Sequence, residues 1–221
     1  MRIHRIHSPL ALEPGEAITL TGKPAHYLGR VLRVTPGQSI VLFNGDGCDY
    51  ACEVRQPGKN SLTLGVLSRL PAKPESPLHI IVAQAISRGE RMDQTLQKCT
   101  ELGVMAFQPL WSERVEVRLR GEKLARRHSH WEGVVISACE QSGRAVIPQV
   151  LPPGAGERLA NAAQGQSIEL AVGPEGGFSA AELDMMASAG IMPVSLGPRI
   201  LRTETAAPAA VAVLQALQGD F

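Results

Sequence analysis

The stretch HIIVAQAISRGERMDQTLQKCTELGVMAFQPL (79–110) decides the fold class. HIIVAQA (79–85) is a continuous apolar run of strand length, and VMAFQPL (104–110) is a second. Between them, Met92, Leu96, Cys99 and Leu102 or Gly103 mark one helical stripe, and Gly103 stands where a C-terminal cap belongs. Strand, helix and strand in that order predict a parallel βαβ unit.

Toward the C-terminus the alternation continues. Glu122–Cys139 predicts a long helix with Leu124, Trp131, Val135 and Ala138 inward, Pro148–Leu151 a strand and Arg158–Ala163 a short helix. Ser167–Val172 predicts a strand, Ser179–Ala189 a helix, Met192–Leu196 a strand and Thr205–Leu217 a final helix. An α/β domain with a parallel sheet over residues 78–221 is expected. The last helix is almost wholly apolar, so burial on several sides, or against another subunit, is expected.

Toward the N-terminus the texture differs. LPAKPESP (70–77) holds three prolines, and residues 71–77 predict a stiff linker. Within 1–70, runs rich in β-branched residues recur at Ala17–Leu20, Ser39–Phe43, Tyr50–Arg55 and Ser61–Leu67, separated by Gly, Pro and Asn, as in a compact barrel. Tyr27, Leu28, Val31 and Leu32 share a face at helical spacing.

Composition bounds the function. The 221 residues are 44% apolar and 19% charged, with a formal charge of +1, so a polycation that coats nucleic acid is excluded while a local basic face is not. Eight aromatic residues are too few for rows of base-stacking platforms. No window offers 18 consecutive apolar residues, and MRIHRIHSPLALEPGE lacks the apolar core of a signal peptide, so a reducing cytoplasmic setting is expected. Cys48 and Cys52 are not followed by a second ligand pair, and they read as two buried thiols in a hairpin rather than a metal site.

Two strand ends carry unusual sequences, and in an open α/β sheet ligands bind beyond such ends. In VGPEGGFSAAE (172–182), Gly173, Gly176 and Gly177 permit positive φ and close approach to backbone, and Ser179 with Glu182 forms a capping box. A tight strand-to-helix turn explains those glycines equally well. Neither a P-loop nor a dinucleotide fingerprint is present. In SLGPRILRTETAAPAA (195–210), Thr205 is the expected cap, with Pro208 in the first turn. Arg202 and Glu204 read either as a local ion pair or as site residues.

Together VGPEGGFSAAE and LGPRILRTETA resemble the signature pair of the RsmE family, 16S ribosomal RNA uridine-N3 methyltransferases of the SPOUT superfamily. HYLGRVLRVTPGQSIVLFNGDG (26–47) resembles the family's PUA-like domain, and SRGERMDQTLQKCTELGV (87–104) and ACEQSGRAVIP (138–148) resemble its middle motifs. The resemblance implies a PUA-like β-barrel RNA-binding domain over 1–70 and a SPOUT methyltransferase domain with a deep C-terminal trefoil knot over 78–221. It further implies S-adenosyl-L-methionine as cofactor, 16S rRNA in the small ribosomal subunit as partner, and a homodimer. The neighbouring possibilities are a SPOUT enzyme acting on another RNA or base atom, and a non-catalytic RNA-binding assembly factor. Between Pro153 and Ser167 the chain is shorter than the family pattern, which puts one sheet strand in question.

By this resemblance Val172, Gly173, Pro174, Glu175, Gly176, Gly177, Leu196, Gly197, Ile200, Leu201 and Thr203 are the expected cofactor residues. Arg202 is the candidate for stabilising charge on the uracil oxygens. Glu204 is the candidate for orienting that arginine or removing a proton, and Glu175 is a second candidate base. Arg30, Arg33, Arg88, Arg91, Arg114 and Arg144 are candidates for RNA contact. The run 114–127, including Arg118, carries net +4 and reads as a solvated face or a phosphate contact. His7, His26 and His128 read as surface or packing residues.

Overall fold

Residues 4–71, 73–117, 119–155 and 167–221 are described by a computed structural model of the chain. They fall into two compact units: residues 1–75 with 139–147, and residues 76–138 with 148–221.

In the first unit strict alternation makes a half-buried sheet. β2 (Ala17–Thr21) turns Ile18 and Leu20 inward, β3 (Ser39–Phe43) Ile40 and Leu42, and β4 (Asp49–Pro57) Tyr50, Cys52 and Val54. β5 (Ser61–Leu70) adds Leu62, Leu64 and Val66. The order is β1-β3-β4-β5-β2, antiparallel except for β1 (His4–His7), which runs parallel to β3. Among the described residues no ladder joins β1 to β2. β1 was not expected, because four residues with two histidines give no period. Arg5 fixes its place by binding Asp49 at 2.7 Å and stacking 3.8 Å over the Phe43 ring, and it donates to the carbonyls of Cys139 and Arg144. Those bonds tie in the segment 139–147, which sequence order alone assigns to the later domain.

The expected face of Tyr27, Leu28, Val31 and Leu32 is corrected. α1 (Gly22–His26) passes into a π-helical turn, Tyr27–Val31, and the Leu32 N–H bonds to the Tyr27 carbonyl five residues back. The wider turn breaks the 3.6 period. Leu28 is buried and Leu32 packs on the core, whereas Tyr27 and Val31 are exposed.

In the second unit a wholly parallel sheet has the order β10-β6-β7-β8: β10 (Ser167–Val172), β6 (His79–Ala85), β7 (Ala106–Trp111) and β8 (Gln149–Val150). β9 (Gly154–Ala155) also pairs with β7, so a short strand does lie after Pro153. The helix expected over 158–163 lies outside the described residues. α2 (Arg91–Glu101) buries Met92, Leu96 and Cys99 as expected, with Thr95 and Thr100. It ends with the Val104 N–H on the Cys99 carbonyl and the Gly103 N–H on that of Thr100. α3 (Gly121–Ser142) buries Trp131, Val135 and Ala138, while Leu124 is half-buried.

Two expectations at the C-terminus are corrected. Residues 192–196 form no strand; Met192 and Val194 are exposed, and only Ile191 packs on the sheet, beside Ala83, Leu110 and Ala171. Pro193 has no N–H for a ladder, in the middle of so short a run. The last helix, α5 (Thr203–Gln218), begins with Arg202 rather than Thr205 at the N-cap, which carries Pro208 past the first turn. α5 packs on α2 and buries the single stripe Thr203, Ala207, Val211 and Gln215; Val213 and Leu217 are exposed.

Val172 pairs with Gln84, and Gln84 with Pro109. The carboxyl ends of β10, β6 and β7 therefore align. The glycine-bearing loop, residues 87–91 and the segment after Trp111 leave the sheet at one edge, as ligand sites of parallel sheets require.

Candidate active site

The glycine-bearing loop leaves β10 at Val172 and closes a turn in which the Gly177 N–H bonds to the Pro174 carbonyl. Gly177 has φ +68°, and a Cβ there would meet open space. The three glycines serve different ends. At Gly173 a Cβ would stand 3.2 Å from the Phe178 ring, and at Gly176 it would lie 3.4 Å from Arg114, so only Gly177 uses the left-handed region. Helix α4 (Ala180–Ser188) follows with the predicted capping box: the Glu182 N–H bonds to the Ser179 hydroxyl and the Ser179 N–H to the Glu182 carboxylate.

At the same edge lies an open cleft of about 650 Å³, lined by Arg88, Gly89, Glu90, Arg91, Gln94, Glu116, Glu175, Arg202 and Glu204. It unites the three residues singled out for chemistry, and Arg91 at the start of α2 joins them. Its guanidinium donates to the Glu175 carboxylate and lies 4.0 Å from that of Glu204. On the other side Arg202 stands 3.9 Å from Glu204. Burial alone would raise the Glu175 carboxyl. N–H groups of its own backbone and of Arg88, with the Arg91 guanidinium, outweigh that and hold it below the usual carboxylate range. A carboxylate so stabilised is a weak base, so Glu175 is the poorer of the two candidates. Glu204 is sheltered, its side chain 14% exposed, while Arg202 is 81% exposed. The Thr203 hydroxyl donates to Glu204 at 3.2 Å, so Thr203 orients that carboxylate.

The expected apolar wall is only loosely assembled. Ile200 is fully exposed, Leu196 and Leu201 are half-buried, and Gly197, with φ +101°, has only Arg199 near its Cβ position. The backbone at Gly177 and Gly197 is accessible, with apolar side chains beside Gly197. Those groups suit a ligand with a hydrogen-bonding edge and an apolar face.

The candidate RNA arginines divide. Arg30 and Arg33 are exposed in the first unit; Arg33 holds φ +52°, the one positive value among the described residues that are not glycine. Arg30 lines a concavity of about 380 Å³ with His26 and Lys59. Arg88 is exposed and pairs with Glu116 at 2.9 Å. Arg91 is committed to Glu175, and Arg114 donates to the Gly176 carbonyl at 2.7 Å. The Arg144 side chain is 10% exposed and donates to Glu75 at 3.0 Å. Arg118 lies outside the described residues. Of the histidines, His7 packs on Phe43, and burial lowers its pKa; His128 lies 2.9 Å from the Val150 carbonyl.

Sequence reasoning missed two features here. Asp93 on α2 gathers His130 at 2.7 Å and Arg127 at 3.5 Å from α3. Glu182 reaches beyond its own helix to Ser112 and Glu113 after β7. Contacts across about 37 and 70 residues leave no periodic trace, although a carboxylate with spare acceptor sites is the signal that could have flagged Glu182.

Comparison with known proteins matches an N-terminal and a C-terminal domain. Residues 20–67 match the RNA methyltransferase PUA domain, and residues 74–164 and 154–215 match the RNA methyltransferase domain. The ribosomal RNA small subunit methyltransferase E of Buchnera aphidicola (subsp. Schizaphis graminum) is 33% identical, over 100% of this chain and 98% of its own. A methyltransferase E crystal structure from Neisseria gonorrhoeae, bound to S-adenosyl methionine, is 40% identical with TM-score 0.93 over all of both chains. A Legionella pneumophila methyltransferase in complex with SAM is 37% identical with TM-score 0.96, again over all of both chains. With its α/β parallel sheet, its PUA-type N-terminal unit and relatives along its whole length, the chain belongs to the ribosomal RNA small subunit methyltransferase E family.

Proposed function

We propose that this chain methylates N3 of a specific uridine in the 16S rRNA of the small ribosomal subunit, with S-adenosyl-L-methionine as methyl donor. The observation that carries the reading is the convergence of Glu175, Arg202 and Glu204 on one cleft at the carboxyl edge of the sheet. The relatives solved with the cofactor supply its identity.

The residues present fit that cofactor. The open backbone at Gly177 and Gly197 offers polar edges to adenine and ribose, and Leu196, Ile200 and Leu201 offer apolar cover. Four glutamates against three arginines line the cleft and suit a cationic ligand. When bound, the cofactor supplies a methyl group on a positively charged sulfur. The protein's own task is to present N3 without its proton, in line with that group. Orientation is the largest lever, because two reactants become one aligned pair. Arg202, 81% exposed, meets the negative charge that develops on the uracil oxygens. Glu204, held by Thr203 and flanked by Arg91 and Arg202, aims Arg202 or takes the proton. Arg30 and Arg33 are exposed to phosphates, and Arg88, also exposed, would exchange Glu116 for one.

The finer architecture belongs to the same proposal: residues 172–177 and 196–201 are the loops of a trefoil knot, the N-terminal unit is an RNA-binding PUA-like barrel, and the enzyme is a cytoplasmic homodimer. The exposed apolar residues Val213, Leu217 and Phe221 at the C-terminal end support the dimer, since a second copy of this chain would cover them. Among the described residues no helix is long and apolar enough to cross a membrane.

The deciding experiment uses small subunits from cells lacking this protein, with the protein and labelled cofactor. Label in 16S rRNA, with a reverse-transcription stop where N3 methylation blocks pairing, is expected. Label in tRNA alone would overturn the substrate.

A further inference from the structure

Glu182 does more than a helix cap requires. A capping box needs its carboxylate to accept one backbone N–H, and Ser179 supplies that at 2.8 Å to Oε2. Two more donors arrive from 69 and 70 residues away. The Glu113 N–H donates to Oε1 at 3.0 Å, and the Ser112 hydroxyl to Oε2 at 3.1 Å. Both belong to the segment that follows β7.

The same segment touches the loop again on the other side of Gly177, where Arg114 donates to the Gly176 carbonyl at 2.7 Å. The two attachments bracket Gly177 and Phe178, and the Phe178 ring lies against Gly173. A loop with three glycines in five residues has high intrinsic freedom, and these bonds remove it. Burial raises the Glu182 carboxyl, but its converging donors outweigh that and lower it below the usual range, in keeping with a carboxylate that stays charged.

We propose that Glu182, with Arg114, is a positioning residue for the cofactor: from the segment 112–114 the pair clamps the glycine-bearing loop in the shape that receives S-adenosyl-L-methionine. Neither residue lines the cleft that holds Glu175, Arg202 and Glu204. The inference rests on the reading that Gly173–Gly177 holds the cofactor.

Glu182→Gln separates the clamp from the cap. Glutamine still serves in a capping box, but it has one acceptor oxygen instead of two, so the Glu113 N–H loses its partner. In the full-length protein, three quantities are to be measured for wild type, E182Q, E182A and R114A. They are the melting temperature, the calorimetric Kd for S-adenosylmethionine, and hydrogen exchange of amides 173–179 without cofactor. Steady-state KM and kcat on small subunits complete the set. E182Q is expected to melt close to wild type, to bind cofactor about tenfold more weakly, and to exchange faster only in the loop, with KM raised and kcat held. R114A is expected to shift the same way, and an E182Q/R114A double variant less than additively, because both act on one loop. Cofactor binding by E182Q equal to wild type would overturn the proposal. So would exchange that quickens across the whole sheet, since that marks a purely structural role. Failure of wild type itself to bind the cofactor would instead remove the reading on which the clamp rests.

Discussion

Arg91, on the first turn of the helix after the central strand, donates to Glu175 on the glycine-bearing loop, 84 residues later. The bond crosses the cleft edge and reaches toward Glu204 as well. Both partners are about 40% exposed, so solvent screens the pair and it contributes little to stability. Its value lies in holding the glycine-bearing loop and the first turn of α5 to one arginine.

Arg91→Ala is therefore expected to leave the melting temperature nearly unchanged and to lower kcat/KM by roughly 10- to 100-fold, the cost of a small misplacement in an oriented site. Arg91→Lys restores the charge but not the forked geometry, and it is expected to recover only part of the loss. Melting curves beside steady-state kinetics on small subunits check both.

Arg202 and Glu204 call for a paired test. Arg202→Ala is expected to lower kcat by roughly 10²-fold with cofactor affinity intact, since removing one donor to a developing oxyanion costs about that much. Glu204→Gln keeps the shape of the side chain and removes its charge. Where Glu204 takes the N3 proton, raising the pH restores E204Q, because the uracil then ionises into solvent unaided. Where Glu204 only orients Arg202, the loss is the same at every pH. A pH–rate profile of kcat for the two variants separates these roles.

The second unit was legible because its strands and helices carry their own periods. Met92, Leu96 and Cys99 announce α2, and the Ser179–Glu182 box announces α4 to the residue. The exceptions were local in cause. In the first unit one π-helical turn at Tyr27–Val31 rotated a predicted face, and in the second Pro193 interrupts a run of strand-like residues that does not pair. Glu175, Arg202 and Glu204 were singled out from two signature stretches, and all three line one cleft. Their joining through Arg91 was not legible, since nothing in spacing says that residue 91 meets residues 175 and 204. Arg144 shows another limit: an arginine inside a family motif reads as a phosphate contact, and its burial against Glu75 leaves no trace in the sequence.

The cysteines give a test of packing. Burial pushes Cys52 and Cys139 up to about 11 and raises Cys99 as well, while Cys48 is half-buried. At pH 8 a thiol of that kind is ionised in roughly one molecule per thousand, and the thiolate is the reactive form. One fast-reacting thiol, Cys48, is expected in the native protein, with the other three released by denaturant. Mass spectrometry after a short alkylation pulse reads which cysteine is labelled. Fast labelling of Cys139 would mean that the 139–147 segment opens readily.

Arg144 and Arg30 should fail in opposite ways. Removing Arg144 leaves Glu75, 22% exposed, without its guanidinium partner, and strips several bonds from a sheltered site. Breaking such a pair from one side costs about 3 kcal/mol. Arg144→Ala is expected to destabilise the first unit by about that amount. The salt dependence of RNA binding by the folded fraction should stay unchanged. Arg30 is exposed at the rim of a concavity and holds no fold together. Arg30→Ala is expected to leave the denaturation midpoint alone. Binding to small subunits should weaken at low salt, with the slope of log K against log salt falling by about one, as loss of one phosphate contact requires. Denaturant titration and filter binding across a salt series distinguish the two residues. An Arg144 variant that keeps its stability but loses one unit of salt slope would return that residue to the RNA face.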